Sequence, residues 1–109
     1  MSTSYVSGLI GRLQPFEDKP RAEKVLETDT AHVVVFEFAA GQDLSAHKAH
    51  HAIVVQTIAG HVTFESEDGV VDLRPGDLVH VPGKMIHAVH AVEDSTITVT
   101  MIVKDDVPT

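Results

Sequence analysis

The sequence predicts an all-β domain, built as a small antiparallel β-barrel or jelly roll. Two observations predict it. Short runs rich in Val, Ile, Thr and Phe recur about every eight to twelve residues, with Gly-, Pro- and Asp-containing turns between them. No comparably long stretch carries the 3.6-residue apolar period of an amphipathic helix.

The elements follow in order. Residues 1–22 hold Pro15 and Pro20 among mixed charges and read as an irregular lead-in, with one short strand near Val6 to Ile10. Glu23 to Thr28 reads as a strand or a helical turn. His32 to Ala39 is a β-branched and aromatic run stopped by Gly41, and Ala52 to Ile58 is a second such run stopped by Gly60. His61 to Glu65 alternates, and Glu67-Asp68-Gly69 turns it into Val70 to Leu73. Arg74-Pro75-Gly76-Asp77 is a tight turn, because Pro pre-sets φ and Gly is free to take positive φ. Leu78 to Val81, His87 to Val92 and Thr96 to Val103 complete the strands. The folded unit is placed at residues 23–104 and a charged tail at 105–109.

Composition narrows the function classes. A chain of 109 residues suits one domain, and 43% hydrophobic with 22% charged residues is ordinary for a globular one. Lys and Arg are outnumbered 8 to 16 by Asp and Glu, giving −8 with neutral histidines, and they form no run, so nucleic acid is not expected as a partner. The absence of cysteine excludes disulfides, thiolate metal sites and Cys nucleophiles. No apolar run approaches the ~20 residues that cross a bilayer, and residues 1–6 do not read as a signal peptide, so the expectation is a cytoplasmic protein without a membrane partner. Ser45 lies near His47, but no G-x-S-x-G elbow accompanies it, and no Gly-rich phosphate loop is present.

Histidine is over-represented, with eight residues, and seven of them fall in two stretches: His47, His50, His51 and His61, then His80, His87 and His90. Side chains alternate faces along a strand, so in an extended chain His47 and His51 share a face and His50 takes the other. If the His87 strand lies beside them, His47, His51 and His87 converge on a site suited to a divalent transition metal. Read singly, a strand histidine is more commonly hydrogen-bonded or solvated than a ligand, and His50, His61 and His90 read that way.

The spacing Gly41-x5-His47, with Gly60 closing the next strand, resembles the first motif of the cupin superfamily, G-x5-H-x-H-x3,4-E-x6-G. Gly76-x5-Pro82 with His87 five residues on resembles the second, G-x5-P-x-G-x2-H-x3-N. Fifteen residues separate Gly60 from Gly76, as in small single-domain cupins, and the resemblance spans about residues 33 to 103. It implies a β-barrel around a metal or small-molecule site, and a homodimer paired through open sheet edges such as the N-terminal strand.

The match is incomplete. The family's second His falls on Ala49, its Glu on Ile53, its middle Gly on Lys84 and its Asn on Ala91. Of the four ligands the resemblance implies, only His47 and His87 carry over, with His51 offered as a substitute. Two readings stand. In one, His47, His51 and His87 hold a divalent metal that keeps its full charge and favours a small anionic molecule, as in a metal-dependent dioxygenase, isomerase or decarboxylase. In the other, the cupin is metal-free, a small-molecule binder or regulatory subunit, with an apolar pocket lined by Ile53, Val55 and Val89, and Gln56 as a weaker polar contact.

Overall fold

The computed structural model describes residues 3–103, position 47 through its backbone alone. Those residues form nine strands and no helix: β1 Arg21–Glu27, β2 Ala31–Phe38, β3 Asp43–Lys48, β4 Ile53–Ala59, β5 Val62–Ser66, β6 Gly69–Leu73, β7 Leu78–Val81, β8 Ile86–Ala91 and β9 Ser95–Ile102. They pair antiparallel into a five-stranded sheet, β1-β2-β9-β4-β7, and a four-stranded sheet, β3-β8-β5-β6. The two sheets do not close on one another through hydrogen bonds, so the architecture is a jelly-roll sandwich with free edges rather than a closed barrel. Among the described residues no helix is long and apolar enough to cross a membrane.

Strand alternation builds the core. In β4, Ile53, Val55 and Thr57 are buried while Val54, Gln56 and Ile58 are half-buried. In β5 and β8 the buried residues are Val62 and Phe64, then His87, Val89 and Ala91. These inward faces meet Phe38, Leu73, Val81 and Ile97 in one cluster. Gly60 ends β4 because nothing larger fits: its φ is +86°, and a Cβ there would stand 2.2 Å from the Asp94 carbonyl oxygen.

The lead-in is irregular, but Val6 to Ile10 is not a strand. Gly8 and Gly11 take φ of 71° and 66°, which breaks an extended path. The segment lies instead against the outer face of the five-stranded sheet, where the Gly11 N–H donates to Thr96 Oγ1 at 3.3 Å. That contact helps to cover Thr96, which is only 1% exposed. The segment from Glu23 is a strand rather than a helical turn, and it begins earlier, at Arg21. The strand expected from His87 begins at Ile86, and residues 105–109 lie outside the described residues.

Two groups in this framework are held at a cost. Thr57 is fully buried and its hydroxyl has no hydrogen-bond partner. An unmade bond at a buried hydroxyl costs about 1–3 kcal/mol, so the near-isosteric Thr57→Val should raise unfolding stability by about 1 kcal/mol, read from urea denaturation midpoints.

Glu37 is the other. Burial pushes its carboxyl above the ordinary glutamate value, the Thr96 hydroxyl pulls it down by donating to it, and Asp94 adds to the rise. A raised carboxylate binds more protons folded than unfolded. Its contribution is therefore fully present below the unfolded value and is lost as pH rises through the folded one. Stability should fall across that acid window in the native chain, and Glu37→Gln should flatten the slope in denaturation series run against pH.

Candidate functional site

The turn before β8 sets the site. It runs from Pro82 to Met85 and is latched to the loop after β3, with the Lys84 N–H donating to the Ala49 carbonyl at 2.7 Å. Gly83 packs so closely that an added Cβ would lie 2.7 Å from the His50 carbonyl oxygen. Lys84 has φ of 70°, and among the described residues it is the one non-glycine with positive φ. The motif places glycine at this position, so the backbone has kept the left-handed conformation although the side chain has changed.

Leaving this turn, β8 carries His87 inward. The ring is 3% exposed, and among the described residues it is the only buried histidine. Its Nδ1 lies 3.1 Å from the Met85 carbonyl, and its ring stacks on Phe64 with centroids 5.6 Å apart and planes 16° off parallel. A carbonyl oxygen can only accept, so Nδ1 carries the proton and, in the neutral ring, Nε2 carries the lone pair. A backbone carbonyl that fixes the tautomer in this way is the usual support for an imidazole that works through its other nitrogen.

Position 47 reaches His87 through a register shift. Leu44 pairs with Val89 and His47 with His87, so three steps on β3 match two on β8, with the irregularity at Ser45 and Ala46. Such a bulge inserts one residue and resets the alternation, which brings position 47 directly opposite position 87.

Between the sheets lies a cavity of about 120 Å³. The four-stranded side and the loop after β3 contribute Leu44, Ala49, His87 and Val89, and the five-stranded side contributes Val34, Phe36, Ile53, Val55, Val99 and Met101. Among the described residues His87 is the one polar side chain in this wall. It also lines a more open outer cavity of about 380 Å³ with Ala46, Glu65, Ser66, Glu67, Ile86 and Ala88.

The expected residues are thus distributed. Ile53, Val55, Val89 and His87 line the inner cavity together. Gln56 alternates with Val55 and Thr57, takes the other face and does not line it. The shared-face reading of His51 required an extended chain from position 47, but β3 ends at Lys48 and a loop follows. His51 is half-buried there, edge-on to His50 at 4.8 Å, and is not among the lining residues. Several other histidines are occupied elsewhere: His61 with Asp72 at 2.8 Å, His90 with Asp43 at 2.6 Å and His32 with Glu27 at 3.5 Å. His80 is exposed on β7.

The lining also contains residues that the sequence reading passed over. Val34 and Phe36 lie in a strand it did recognise, and counting alternate positions along that strand was the available signal. Nothing local marked Leu44 in the lining, or Met85, which lies outside it and acts on His87 through its backbone carbonyl.

The chain matches the model of the cupin domain over residues 34–103, and it belongs to that family. No sequence among the curated proteins matches it. Similar folds include a cupin superfamily protein from Desulfitobacterium hafniense, at 18% identity and TM-score 0.80 with 95% of each chain covered. An RmlC-like cupin protein from Desulfovibrio desulfuricans has 24% identity and TM-score 0.83, covering 92% of this chain and 97% of its own. KdgF from a Halomonas species has 24% identity and TM-score 0.72, covering 85% of this chain and 89% of its own.

The family's ligand set can now be tested against the site. Two of its four positions, 49 and 53, do line the cavity, but as Ala and Ile, which offer no lone pair. Among the described residues no group of three His, Asp or Glu side chains is placed to hold a metal. The four-ligand centre does not fit this chain.

Lys84 supplies a direct test of the turn. A non-glycine residue in the left-handed region costs about 1 kcal/mol, so Lys84→Gly should raise the thermal midpoint by a few degrees. Differential scanning calorimetry checks it.

Proposed function

We propose that this cupin binds a small, mostly apolar molecule between its sheets, with its single polar group directed to His87. One observation carries the reading: a cavity whose wall, among the described residues, is aliphatic and aromatic except for one buried, hydrogen-bonded imidazole. An apolar enclosure with few convergent polar groups is the general form of a small-molecule pocket. The volume, about 120 Å³, compares with the ~150 Å³ cavities that accept benzene, so the occupant is about the size of one six-membered ring. Among the described residues neither cavity that His87 lines contains Lys or Arg, so without a metal this reading takes a neutral ligand rather than the anionic one expected of a metal-centred site. An O–H or N–H donor suits the imidazole better than a free carboxylate.

The experiment is titration with phenol and with benzoate, followed by NMR. The expected result is saturable shifts for phenol at His87, Val55 and Val89, weaker ones for benzoate, and loss of both in Val55→Phe, which fills the cavity. Shifts confined to surface residues, or none, would overturn the reading.

A second reading keeps the metal and rests on the register that sets position 47 against His87. Two imidazoles are half of the family's ligand set, and His51 on the adjoining loop would have to move to make a third. Elemental analysis of chelator-free protein beside His47→Ala/His87→Ala decides it. Near one metal per chain in the native protein, lost in the variant, favours this reading, whereas empty protein favours the metal-free pocket.

A further inference from the structure

Among the described residues His87 is the one that lines both cavities, and the two differ in chemistry. The inner one is apolar in the rest of its described lining. The outer one, about 380 Å³, carries two carboxylates and a hydroxyl, from Glu65, Glu67 and Ser66. Register puts them there. Ser66 pairs with His87 across β5 and β8, and Glu65 pairs with Ala88. Alternation keeps Ser66 on the face of His87 and sends Glu65 to the other, and Glu67 follows in the turn to β6. The Ser66 hydroxyl accepts from the Asp68 N–H at 3.2 Å, which holds that turn. A ring that fills the inner cavity with its polar group at His87 therefore has that group at the border of an acidic chamber.

The protein does not neutralise these carboxylates itself. None of the ion pairs among the described residues includes Glu65 or Glu67. By register the basic residue nearest the rim is Lys48, opposite Ile86, and it is neither a lining residue nor a member of those pairs. Two like charges without a counter-charge repel, and a chain of net charge −8 deepens the negative field around them. A cation in the outer cavity relieves that repulsion.

We propose that the outer cavity is an ammonium subsite, and that the ligand is an arylmethylamine whose ring lies in the inner cavity. The proposal rests on the small-molecule reading of the inner cavity and extends its ligand from neutral to cationic. The apolar wall meets only the ring, so no charge is buried between the sheets. The ammonium stands one carbon from the ring, beside His87, and faces Glu65, Glu67 and Ser66. Its hydrogen-bond inventory fits that lining. A protonated primary amine has three donors and no acceptor, and the cavity offers two carboxylates and a hydroxyl oxygen with a second lone pair. An alcohol has one donor and no charge to meet the carboxylates, and an anion is repelled by them.

The test compares benzylamine, benzyl alcohol and benzoate, which share a ring and differ in charge, by NMR titration of the full chain in low salt at about pH 7, where an alkylamine is protonated. Benzylamine should bind about five-fold tighter than benzyl alcohol, with benzoate weakest, and added salt should narrow the gap. Glu65→Gln/Glu67→Gln should abolish the difference between amine and alcohol. Glu17→Gln/Asp18→Asn removes the same charge from the lead-in, where neither residue lines either cavity, and should keep the difference. Circular dichroism should show both variants folded. Benzylamine binding no tighter than benzyl alcohol overturns the subsite, as does a preference that survives Glu65→Gln/Glu67→Gln or is lost equally in the lead-in variant. If phenol saturates the inner cavity while benzylamine gains nothing over benzyl alcohol, the subsite alone fails. If neither phenol nor benzyl alcohol binds, the reading of the inner cavity fails and the subsite with it.

Discussion

Burying the His87 imidazole in a gap between two sheets whose other described lining is apolar is the constraint around which the site is arranged. Polar groups inside a domain need partners, and His87 has one in the Met85 carbonyl just before its own strand. That bond works only if the turn from Pro82 to Met85 keeps its shape. The turn keeps its shape by bonding Lys84 to Ala49 and by pressing Gly83 against the His50 carbonyl. One buried ring therefore ties the loop after β3, the turn after β7 and the stacking face of Phe64 into a unit. The left-handed backbone at Lys84 is part of the cost of that unit.

The two motif halves have diverged differently. Their turn positions remain functional as geometry: Gly60, Gly76 and the backbone at 84 all take positive φ. Two positions that carry ligands in the family still face the cavity, but now with aliphatic side chains. At those two positions the chamber is lined by aliphatic side chains where the family carries ligands. Family membership rests on the fold and the turns, and it does not carry the family's four-ligand centre with it.

Most of the fold was legible in the sequence because strands write their faces in alternate residues. The runs around Val33 to Phe38, Ile53 to Ile58 and Thr96 to Ile102 all appear as strands. The bulge at Ser45 and Ala46 was not legible, since neither residue signals an insertion and only the partner strand reveals it. Parity counted from His47 to His51 failed for a related reason: β3 stops at Lys48, where no proline or glycine announces the end. Not every histidine belongs to the site: His61 and His90, read from the sequence as hydrogen-bonded or solvated, are paired with Asp72 and Asp43, and His32 is paired with Glu27. The free edges at β6 and β7 were hidden because a sequence shows strands but not which of them lie at the margin of a sheet.

The most direct measurement of the central claim is the tautomer of His87, read by long-range proton–nitrogen NMR at a pH well above the ordinary imidazole range. The account predicts the proton on Nδ1, bonded to the Met85 carbonyl, and an unprotonated Nε2. A proton on Nε2 with Nδ1 bare would contradict it, because a bare Nδ1 cannot bond to a carbonyl and the site would lose its organising contact.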